Sequence, residues 1–174
     1  MRMIFLHAVT FLGILCGVSA KCLSYRNVAL QGRATQSSIL NLVQHGYQSA
    51  AINAVDGNQD PYFYHGSCSH THNELSPWWR VDLLKPYKIA YISITNRGDC
   101  CSERLNGAEI LVGNSLSNNG NNNARCEVVT SIPAGATHKF FCHGIVGRYV
   151  NVVLRGKKEY LQLCEVQVWT ADRH

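Results

Sequence analysis

The chain is organised around an apolar strand and the loop that follows it, which together read Ile89-Ala90-Tyr91-Ile92-Ser93-Ile94-Thr95-Asn96-Arg97-Gly98-Asp99-Cys100-Cys101-Ser102-Glu103-Arg104. Residues 89–95 are rich in β-branched residues and alternate in polarity, which is typical of a β-strand. The loop after them carries two adjacent cysteines between two arginines. The sequence therefore predicts a short, chemically distinctive loop at the end of a strand.

Cys100 and Cys101 can bond to each other if the chain folds in an oxidising compartment. Neighbouring Cα atoms across a trans peptide lie about 3.8 Å apart, whereas most disulfides span roughly 4.4 to 6.8 Å, so this bridge requires a distorted backbone. Strain of this kind costs on the order of 1 to 3 kcal/mol and is concentrated at functional sites. A compact sulfur surface beside two guanidinium groups suits a ligand with a small apolar edge and several hydroxyl groups, such as a sugar.

The first residues have the pattern of a secretory signal peptide. Arg2 gives a basic start, residues 4–15 form an apolar run, and residues 18–20 are small. The apolar run could instead be an uncleaved anchor, but it is short for a bilayer span of about 20 residues. We therefore predict a signal peptide over residues 1–20 and a secreted, extracellular protein that begins near Lys21.

The remainder of the 174-residue chain shows no break in composition and is the size of one domain. We predict an N-terminal segment over 21–26, a single domain over 27–170 and a C-terminal tail over 171–174. The formal charge of +5 is spread along the chain rather than gathered in runs. Nucleic-acid binding and membrane insertion are therefore not indicated.

An odd number of cysteines follows the predicted signal peptide, so at least one has no partner within the chain. They are Cys22, Cys68, Cys100, Cys101, Cys126, Cys142 and Cys164. If the two adjacent cysteines pair, the pairs Cys68–Cys164 and Cys126–Cys142 follow naturally, although the sequence alone does not fix this connectivity. Cys22 would then be free, or would join two chains.

Short segments with strand character recur between turn signals, whereas convincing helical periodicity is rare. The predicted strands cover residues 78–83, 89–95, 108–112, 127–130, 139–142, 148–154 and 164–169. This spacing favours an all-β fold, an antiparallel sandwich or barrel, with one weakly periodic helix over 48–55. Because sheets hold their loops rigidly, the long segments 38–77 and 97–106 are the candidates for one binding end.

Three other kinds of site have less support in the sequence. Potential zinc ligands occur within residues 65–72, but a cysteine in a secreted chain is more often bridged, and no further ligand completes the spacing. The tripeptide Arg97-Gly98-Asp99 is associated with cell adhesion, yet we expect Asp99 to pair with and orient a neighbouring arginine instead. The sequence lacks a nucleophile elbow, a phosphate loop and a metalloprotease helix, so no enzyme is predicted.

The loop motif resembles that of the F-type lectins, the fucose-binding fucolectins of eel. His70 precedes Arg97 by 27 positions, and the run from Arg97 to Arg104 has the family's order and spacing. The likeness covers nearly all of the mature chain, including Asn27-Val28-Ala29, Ala34-Thr35-Gln36-Ser37, Phe63-Tyr64-His65-Gly66-Ser67-Cys68, Pro77-Trp78-Trp79-Arg80-Val81-Asp82-Leu83 and Gly147-Arg148-Tyr149-Val150. The resemblance implies a discoidin-like, jelly-roll β-sandwich with the sugar bound by loops at one end.

The resemblance also implies a role for each residue of the sugar site. His70, Arg97 and Arg104 would hydrogen-bond the hydroxyl groups and the ring oxygen of fucose. The bridge between Cys100 and Cys101 would pack against the sugar ring. The other implied residues line a pocket for the C6 methyl group, namely Phe63, Tyr64, His45 and Leu40.

A calcium site is implied by the same resemblance. On its own, Asp56-Gly57-Asn58 is an ordinary turn, and the acidic residue that ends an EF-hand loop is missing. The implied ligands combine side-chain and carbonyl oxygens from Asn53, Asp56, Asn58, Ser67, Cys164 and Glu165. The role of Ca²⁺ would be structural, since the ion would tie the first long loop to the last strand.

The predicted function is that of a secreted, calcium-stabilised lectin that binds terminal L-fucose on glycans. The resemblance further implies innate immune recognition of microbial or foreign carbohydrates by a homo-oligomer, in which Cys22 could link protomers. Residues 38–50 depart most from the family pattern, so the glycan preference beyond fucose is not predicted. The alternative is a discoidin-like adhesion or membrane-binding module without fucose specificity, which the polar loop tips disfavour.

Overall fold

The computed structural model describes residues 23–42 and 47–173, in which β-strands are joined by loops and short 3-10 helices. The strands are β1 Leu23–Asn27, β2 Arg33–Gln36, β3 Asn41–Leu42, β4 Tyr47–Gln48, β5 Ser69–His70, β6 Glu74–Leu75, β7 Trp78–Thr95, β8 Glu109–Gly113, β9 Ala124–Val128, β10 Thr137–Phe141, β11 Val146–Val153, β12 Lys158–Glu159, β13 Gln162–Leu163 and β14 Glu165–Arg173. The 3-10 helices are Ala29–Gln31, Ala51–Ala54, Phe63–His65, Ser102–Leu105 and Ser117–Gly120. The predictions for the signal peptide, Cys22 and His45 lie outside the described residues.

Strand β7 belongs to both main sheets. Its first part pairs with β2 and β11, and β8 and β9 continue that sheet. Its second part pairs with β14 and β10, and β1 completes the other sheet. All of these pairings are antiparallel, so the predicted all-β sandwich is confirmed, and one strand carries the chain from one layer to the other.

The core lies between the two sheets and is filled by alternate residues of their strands. In β7, Trp79, Val81 and Leu83 are buried from the first sheet, and Ile92 and Ile94 are buried from the second. Each large apolar side chain buried in this way contributes about 1.5 to 3 kcal/mol. The packed sheets therefore give a rigid base for the loops at their ends.

Some predicted elements have different bounds in the structure. The strands expected at 78–83 and 89–95 are one strand, because Tyr87 and Lys88 between them also pair with β11. Strand β9 begins before the predicted 127–130, since it is an edge strand whose first residues are exposed and show no apolar alternation. The helix expected over 48–55 is only the short 3-10 helix Ala51–Ala54.

Three disulfides brace the domain, and they settle the connectivity that the sequence left open. They join Cys68 to Cys164, Cys100 to Cys101 and Cys126 to Cys142. The first joins residues 96 positions apart and lies beside the pairing of β5 with β13. Closing a loop of that length contributes about 4 to 5 kcal/mol in the chain-entropy description. None of the helices in the described part of the chain has the length and apolar character needed to cross a membrane.

Candidate functional site

Two loops predicted to share one binding end meet beyond the end of β7. The backbone amide of Gly98 donates to the carbonyl of Pro61 at 2.8 Å, which joins loop 96–105 to the segment before Phe63–His65. A Cβ atom at Gly98 would lie 3.2 Å from both the Cα of Gly135 and the Cβ of Pro61. A side chain at position 98 would crowd both neighbours, so glycine suits this close approach of the two loops.

Asn96 fixes the start of the loop. The side chain is buried, and its Nδ2 donates to the carbonyls of Ser102 and Ile132 at 2.9 and 2.8 Å. Its Oδ1 accepts a hydrogen bond from the Arg97 amide at 2.9 Å. These bonds tie the beginning of the loop to its later part and to a neighbouring segment, so the loop has a defined shape before a ligand binds.

The guanidinium of Arg97 is held from two sides. Its Nε and Nη2 donate to the two carboxylate oxygens of Asp99 at 3.0 and 2.7 Å. Its Nη1 donates to Oε1 of Gln162 at 3.2 Å, and its Cζ lies 4.2 Å from the centre of the Phe63 ring, within the range of a cation–π contact. The second hydrogen of each Nη remains available for a ligand.

Asp99 is the orienting partner that the sequence predicted. Burial alone would favour the neutral carboxyl, but hydrogen bonds from the Arg97 side chain and from the Phe63 amide outweigh it. The pKa of Asp99 therefore lies below its ordinary value. The ionised carboxylate orients the fork of Arg97 and offsets part of its positive charge.

His70 is buried and neutral, with only 2% of its surface exposed. Its Nδ1 lies 2.7 Å from the carbonyl oxygen of Thr71, which can only accept, so Nδ1 carries the proton and Nε2 is an acceptor. Burial, helped by the positive charges of Arg97 and Arg104, lowers the pKa of His70 to about 4. His70 thus offers a lone pair beside the N–H donors of the arginines.

We expect His70 to make the folded state less stable as the pH falls from 6.5 towards 4. The unfolded chain protonates this residue near 6.5, whereas the folded chain does so only near 4. Over this interval the unfolded state binds more protons, so acid favours unfolding. The contribution of neutral His70 to the free energy of unfolding is fully present above pH 6.5. About 3 kcal/mol of it is lost as the pH falls to about 4. Denaturant unfolding at a series of pH values measures this loss.

His70→Gln should remove this part of the pH dependence. The control is His72→Gln, because His72 is an exposed neighbour. This replacement should leave the dependence of the unfolding free energy on pH unchanged. All measurements are made in buffers of the same ionic composition, so that the samples differ only in pH. Equal slopes for the wild type and His70→Gln would contradict the assignment.

The vicinal disulfide shapes the middle of the loop. Cys100 and Cys101 are bonded with their Cα atoms 3.8 Å apart, and Cys101 has a φ of 59°, in the left-handed region that residues with a Cβ seldom adopt. The distortion expected from the sequence is thus located at Cys101. Its carbonyl accepts from the Arg104 amide at 3.2 Å, which closes the turn that carries Arg104.

The side chain of Arg104 lies at the open side of the site. Its Cζ is 4.6 Å from the centre of the Tyr160 ring, and its Nε is 3.6 Å from Oε1 of Glu159. The side chain keeps 25% of its surface exposed. The described contacts engage the ring face and Nε only, so both Nη groups can donate to a ligand.

The implied apolar pocket lies against these polar groups. The Phe63 ring is buried, packs with Leu40 and the Cys68–Cys164 disulfide, and lies 5.1 Å from the His70 ring. Tyr64 meets Phe63 edge to face at 5.4 Å. The structure therefore brings Phe63 and Tyr64 to the same site as His70, while His45 lies outside the described residues.

Sequence reasoning missed two residues of the site, Tyr160 and Gln162. The Tyr160 ring packs edge-on against the His70 ring at 5.4 Å and lies under the guanidinium of Arg104. Gln162 contacts Arg97 and donates from Nε2 to the Cys101 carbonyl at 2.8 Å. Both lie far along the chain from the motif, and no local pattern marks them.

Glu165 fits the implied cation site. It is completely buried, and neither carboxylate oxygen has a hydrogen-bond partner among the described residues. Burial first, and then the like charge of Asp56, raise the pKa of Glu165 to about 8. The Gly57 amide lowers the pKa of Glu165, but it does not offset burial and the charge of Asp56. A hard cation between the two carboxylates would relieve both the desolvation and the repulsion.

Two of the other implied ligands, Asn53 and Ser67, have oxygens that could bind an ion, whereas Oδ1 of Asn58 already accepts from the Asp60 amide at 3.1 Å. The amide nitrogen of Asn53 is used by the carbonyls of Gln48 and Gly66, which leaves its oxygens free to bind an ion. Ser67 donates its hydroxyl hydrogen to the Asp60 carbonyl at 2.6 Å and keeps its lone pairs. Cys68, one of the potential zinc ligands, is bridged to Cys164 and is therefore not available as a thiolate ligand.

Comparison with known sequences identifies proteins that resemble this chain. A family model described as a NedA-like, galactose-binding domain matches residues 53–152. Fucolectin-4 of Anguilla japonica is 57% identical over 143 residues, which cover 82% of this chain and 78% of that protein. The residues matched by the family model include His70 and the whole loop motif.

Structural comparison leads to the same family. The fucolectin from the serum of striped bass, Morone saxatilis, matches with a TM-score of 0.79 and 49% identity. The match covers 86% of this chain but only 48% of the striped bass chain. A fucose binding module of Streptococcus pneumoniae has a TM-score of 0.69 and 28% identity, with 83% of this chain and 98% of the module covered. These relatives are lectins or binding modules rather than enzymes. The chain belongs to the F-type lectin, or fucolectin, family.

Proposed function

We propose that this protein is a secreted lectin that binds terminal L-fucose on glycans and is stabilised by a structural calcium ion. The observation that carries the proposal is the meeting of one buried acceptor, Nε2 of His70, with the donors of Arg97 and Arg104. Beside them lie the vicinal disulfide and the aromatic wall of Phe63. The names of the relatives, a fucolectin and a fucose binding module, support fucose as the sugar.

The donors and the acceptor together select for hydroxyl groups. Arginine can only donate and Nε2 of neutral His70 can only accept, so the ligand must offer groups that do both. Sugar hydroxyls do both, whereas an ionised carboxylate has no proton for His70. Asp99 and Glu159 offset the positive charge of the two arginines. The site therefore suits a neutral polyol better than an anion.

The aromatic wall should recognise the C6 methyl group of fucose. We expect L-fucose to bind about 10- to 200-fold more tightly than D-arabinose, which has the same ring hydroxyls and no methyl group, because the methyl is buried against Phe63. Isothermal titration calorimetry of both sugars measures the ratio. L-galactose, which adds a hydroxyl at C6, serves as a second comparison and should also bind more weakly. Equal affinities for the three sugars would exclude a methyl pocket.

The calcium ion would be held by oxygens of the first long loop and of β14. Asp56 and Glu165 would supply carboxylate oxygens, and the carbonyl and hydroxyl oxygens would come from Asn53, Asn58, Ser67 and Cys164. When bound, the ion supplies the positive charge that buried Glu165 lacks. Its place next to the Cys68–Cys164 disulfide supports a structural role rather than contact with the sugar.

Secretion and assembly complete the proposal. Residues 1–20 have the pattern of a signal peptide, and the three disulfides suit an oxidising compartment. Binding through a few hydroxyls gives modest affinity at a single site, so capture of a cell surface requires several sites in one homo-oligomer. A role in recognising microbial or foreign carbohydrates is proposed from the family resemblance.

Retention on L-fucose–agarose in calcium buffer, followed by elution with free L-fucose, tests the proposed function. D-Galactose at the same concentration should not elute the protein, and a glycan array should give signals confined to fucosylated glycans. Protein that melts cooperatively yet passes through the column unretained would overturn the proposal. Retention that survives excess L-fucose would indicate binding of a different kind.

A further inference from the structure

Gln162 is a buried residue that uses both ends of its side chain within the sugar site. Only 1% of its surface is exposed. Its Oε1 accepts from Nη1 of Arg97 at 3.2 Å, and its Nε2 donates to the Cys101 carbonyl at 2.8 Å. Because an arginine can only donate and a carbonyl can only accept, the orientation of this amide is fixed.

Gln162 also acts on the His70 side chain across the strand pair, and its hydrogen-bond partners Arg97 and Cys101 lie in different parts of the motif loop. Arg97 is near the start of the loop. Cys101 is the second residue of the vicinal disulfide, and its carbonyl also closes the turn that carries Arg104. One amide therefore connects β13 with a sugar-binding guanidinium, with the sulfur bridge and with the turn that presents the second arginine.

The backbone that carries Gln162 is itself well anchored. Strand β13 pairs with β5, in a register that places Gln162 opposite His70, and directly opposite residues of an antiparallel pair lie on the same face. Two positions further along, Cys164 is joined to Cys68. Gln162 is thus attached to a cross-linked strand pair, while Cys101 lies 61 positions away in sequence.

We propose that Gln162 is a positioning residue of the sugar site, which holds Arg97 and the Cys100–Cys101 bridge in one arrangement. It acts through these groups rather than on the sugar. Asp99 fixes one edge of the Arg97 guanidinium, and Gln162 fixes Nη1, so the remaining hydrogens have a single direction. A neutral amide suits this place, because a carboxylate would repel the Cys101 carbonyl. The proposal rests on the proposed binding of fucose.

Gln162→Met tests the proposal, because it keeps the length of the side chain and removes both hydrogen bonds. We expect the affinity for L-fucose to fall about ten- to hundred-fold in calorimetry. We also expect a water-soluble phosphine to reduce the Cys100–Cys101 bridge several-fold faster, as followed by alkylation and mass spectrometry. The phosphine supplies both electrons and takes its oxide oxygen from water, while the S–S bond breaks and the two sulfurs take the protons of that water to become thiols. The other two bridges include buried cysteines, so this bridge should react first.

Gln167→Met is the matched control. It is the same substitution in β14, where the Gln167 Oε1 accepts from the Ser93 hydroxyl at 2.9 Å, outside the site. Both the affinity and the reduction rate should stay at their wild-type values in this variant. Gln162→Glu is a second test, because its carboxylate still accepts from Arg97 and no longer donates to Cys101. It should show weaker binding and faster reduction than the wild type.

The two measurements separate this proposal from the proposed function. Unchanged affinity and unchanged reduction rate in Gln162→Met and Gln162→Glu would overturn the positioning role. If Gln162→Met does not fold, the affinity and the reduction rate of Gln162→Glu test the positioning role instead. If the wild type and Gln167→Met do not bind fucose at all, the proposed function fails, and the reduction rates still show whether Gln162 holds the sulfur bridge.

Discussion

Replacing Arg104 by alanine should abolish retention on L-fucose–agarose and leave the melting temperature almost unchanged. The variant loses the two Nη donors that face the ligand, and each hydrogen bond from a charged group is worth about 1.5 to 3 kcal/mol. The affinity should therefore fall at least about a hundred-fold. Stability should change little, because the pair with Glu159 is long and partly exposed, and such pairs contribute about 0 to 1 kcal/mol.

Arg125→Ala is the control for this experiment. Arg125 lies in β9, pairs with Glu109 at 3.7 Å and exposes 59% of its side chain. Its loss removes a comparable surface pair without touching the site, so retention should be normal. Arg104→Lys keeps the charge but not the fork, and should bind with intermediate affinity. Normal retention of Arg104→Ala would show that the sugar does not bind at this loop.

Removing calcium should lower the melting temperature of the wild type by about 10 °C, because an ion at 100 to 1,000 times its dissociation constant stabilises the folded state by about 3 to 4 kcal/mol. Glu165→Gln should lose nearly all of this calcium-dependent shift. The glutamine has no charge to hold the ion, and it also relieves the repulsion with Asp56 in the metal-free protein. Differential scanning calorimetry in calcium and in chelator gives the shift for each protein.

Glu127→Gln provides the comparison for Glu165. Glu127 is exposed in β9, so this variant removes the same charge and should keep the wild-type response to calcium. Magnesium in place of calcium should restore little of the shift, because it demands a smaller and more regular set of ligands. A wild-type melting temperature that is independent of the chelator would contradict the calcium site, as would a full shift in Glu165→Gln.

Local features of the chain could be predicted from the sequence, and the Cys68–Cys164 pair was the natural choice once Cys100 and Cys101 were paired. Side-chain contacts that depend on the pairing of distant strands could not be predicted. The vicinal disulfide follows from the adjacency of Cys100 and Cys101, and the orienting role of Asp99 follows from its place two residues after Arg97. The resemblance supplied His70 and Glu165. The roles of Tyr160 and Gln162 depend on the pairing of β5 with β13, which no run of neighbouring residues encodes.

The continuity of β7 could not be predicted for a similar physical reason. Residues 84–88 include a proline and exposed residues, so they look like a turn between two strands, yet they continue the hydrogen-bonded pairing with β11 at Tyr87 and Lys88. Likewise β9 has little apolar alternation, because it is an edge strand whose ladder of hydrogen bonds is made with β8. In both cases the partner strand decides the bounds.

The place of β7 in both layers has a consequence for how the domain comes apart. Neither layer keeps its full set of hydrogen bonds if the other is lost, so the sandwich has to melt as a cooperative unit. The binding loop continues directly from the end of this shared strand. It therefore keeps its shape for as long as the domain is folded, so a ligand that binds there would not have to order the loop first.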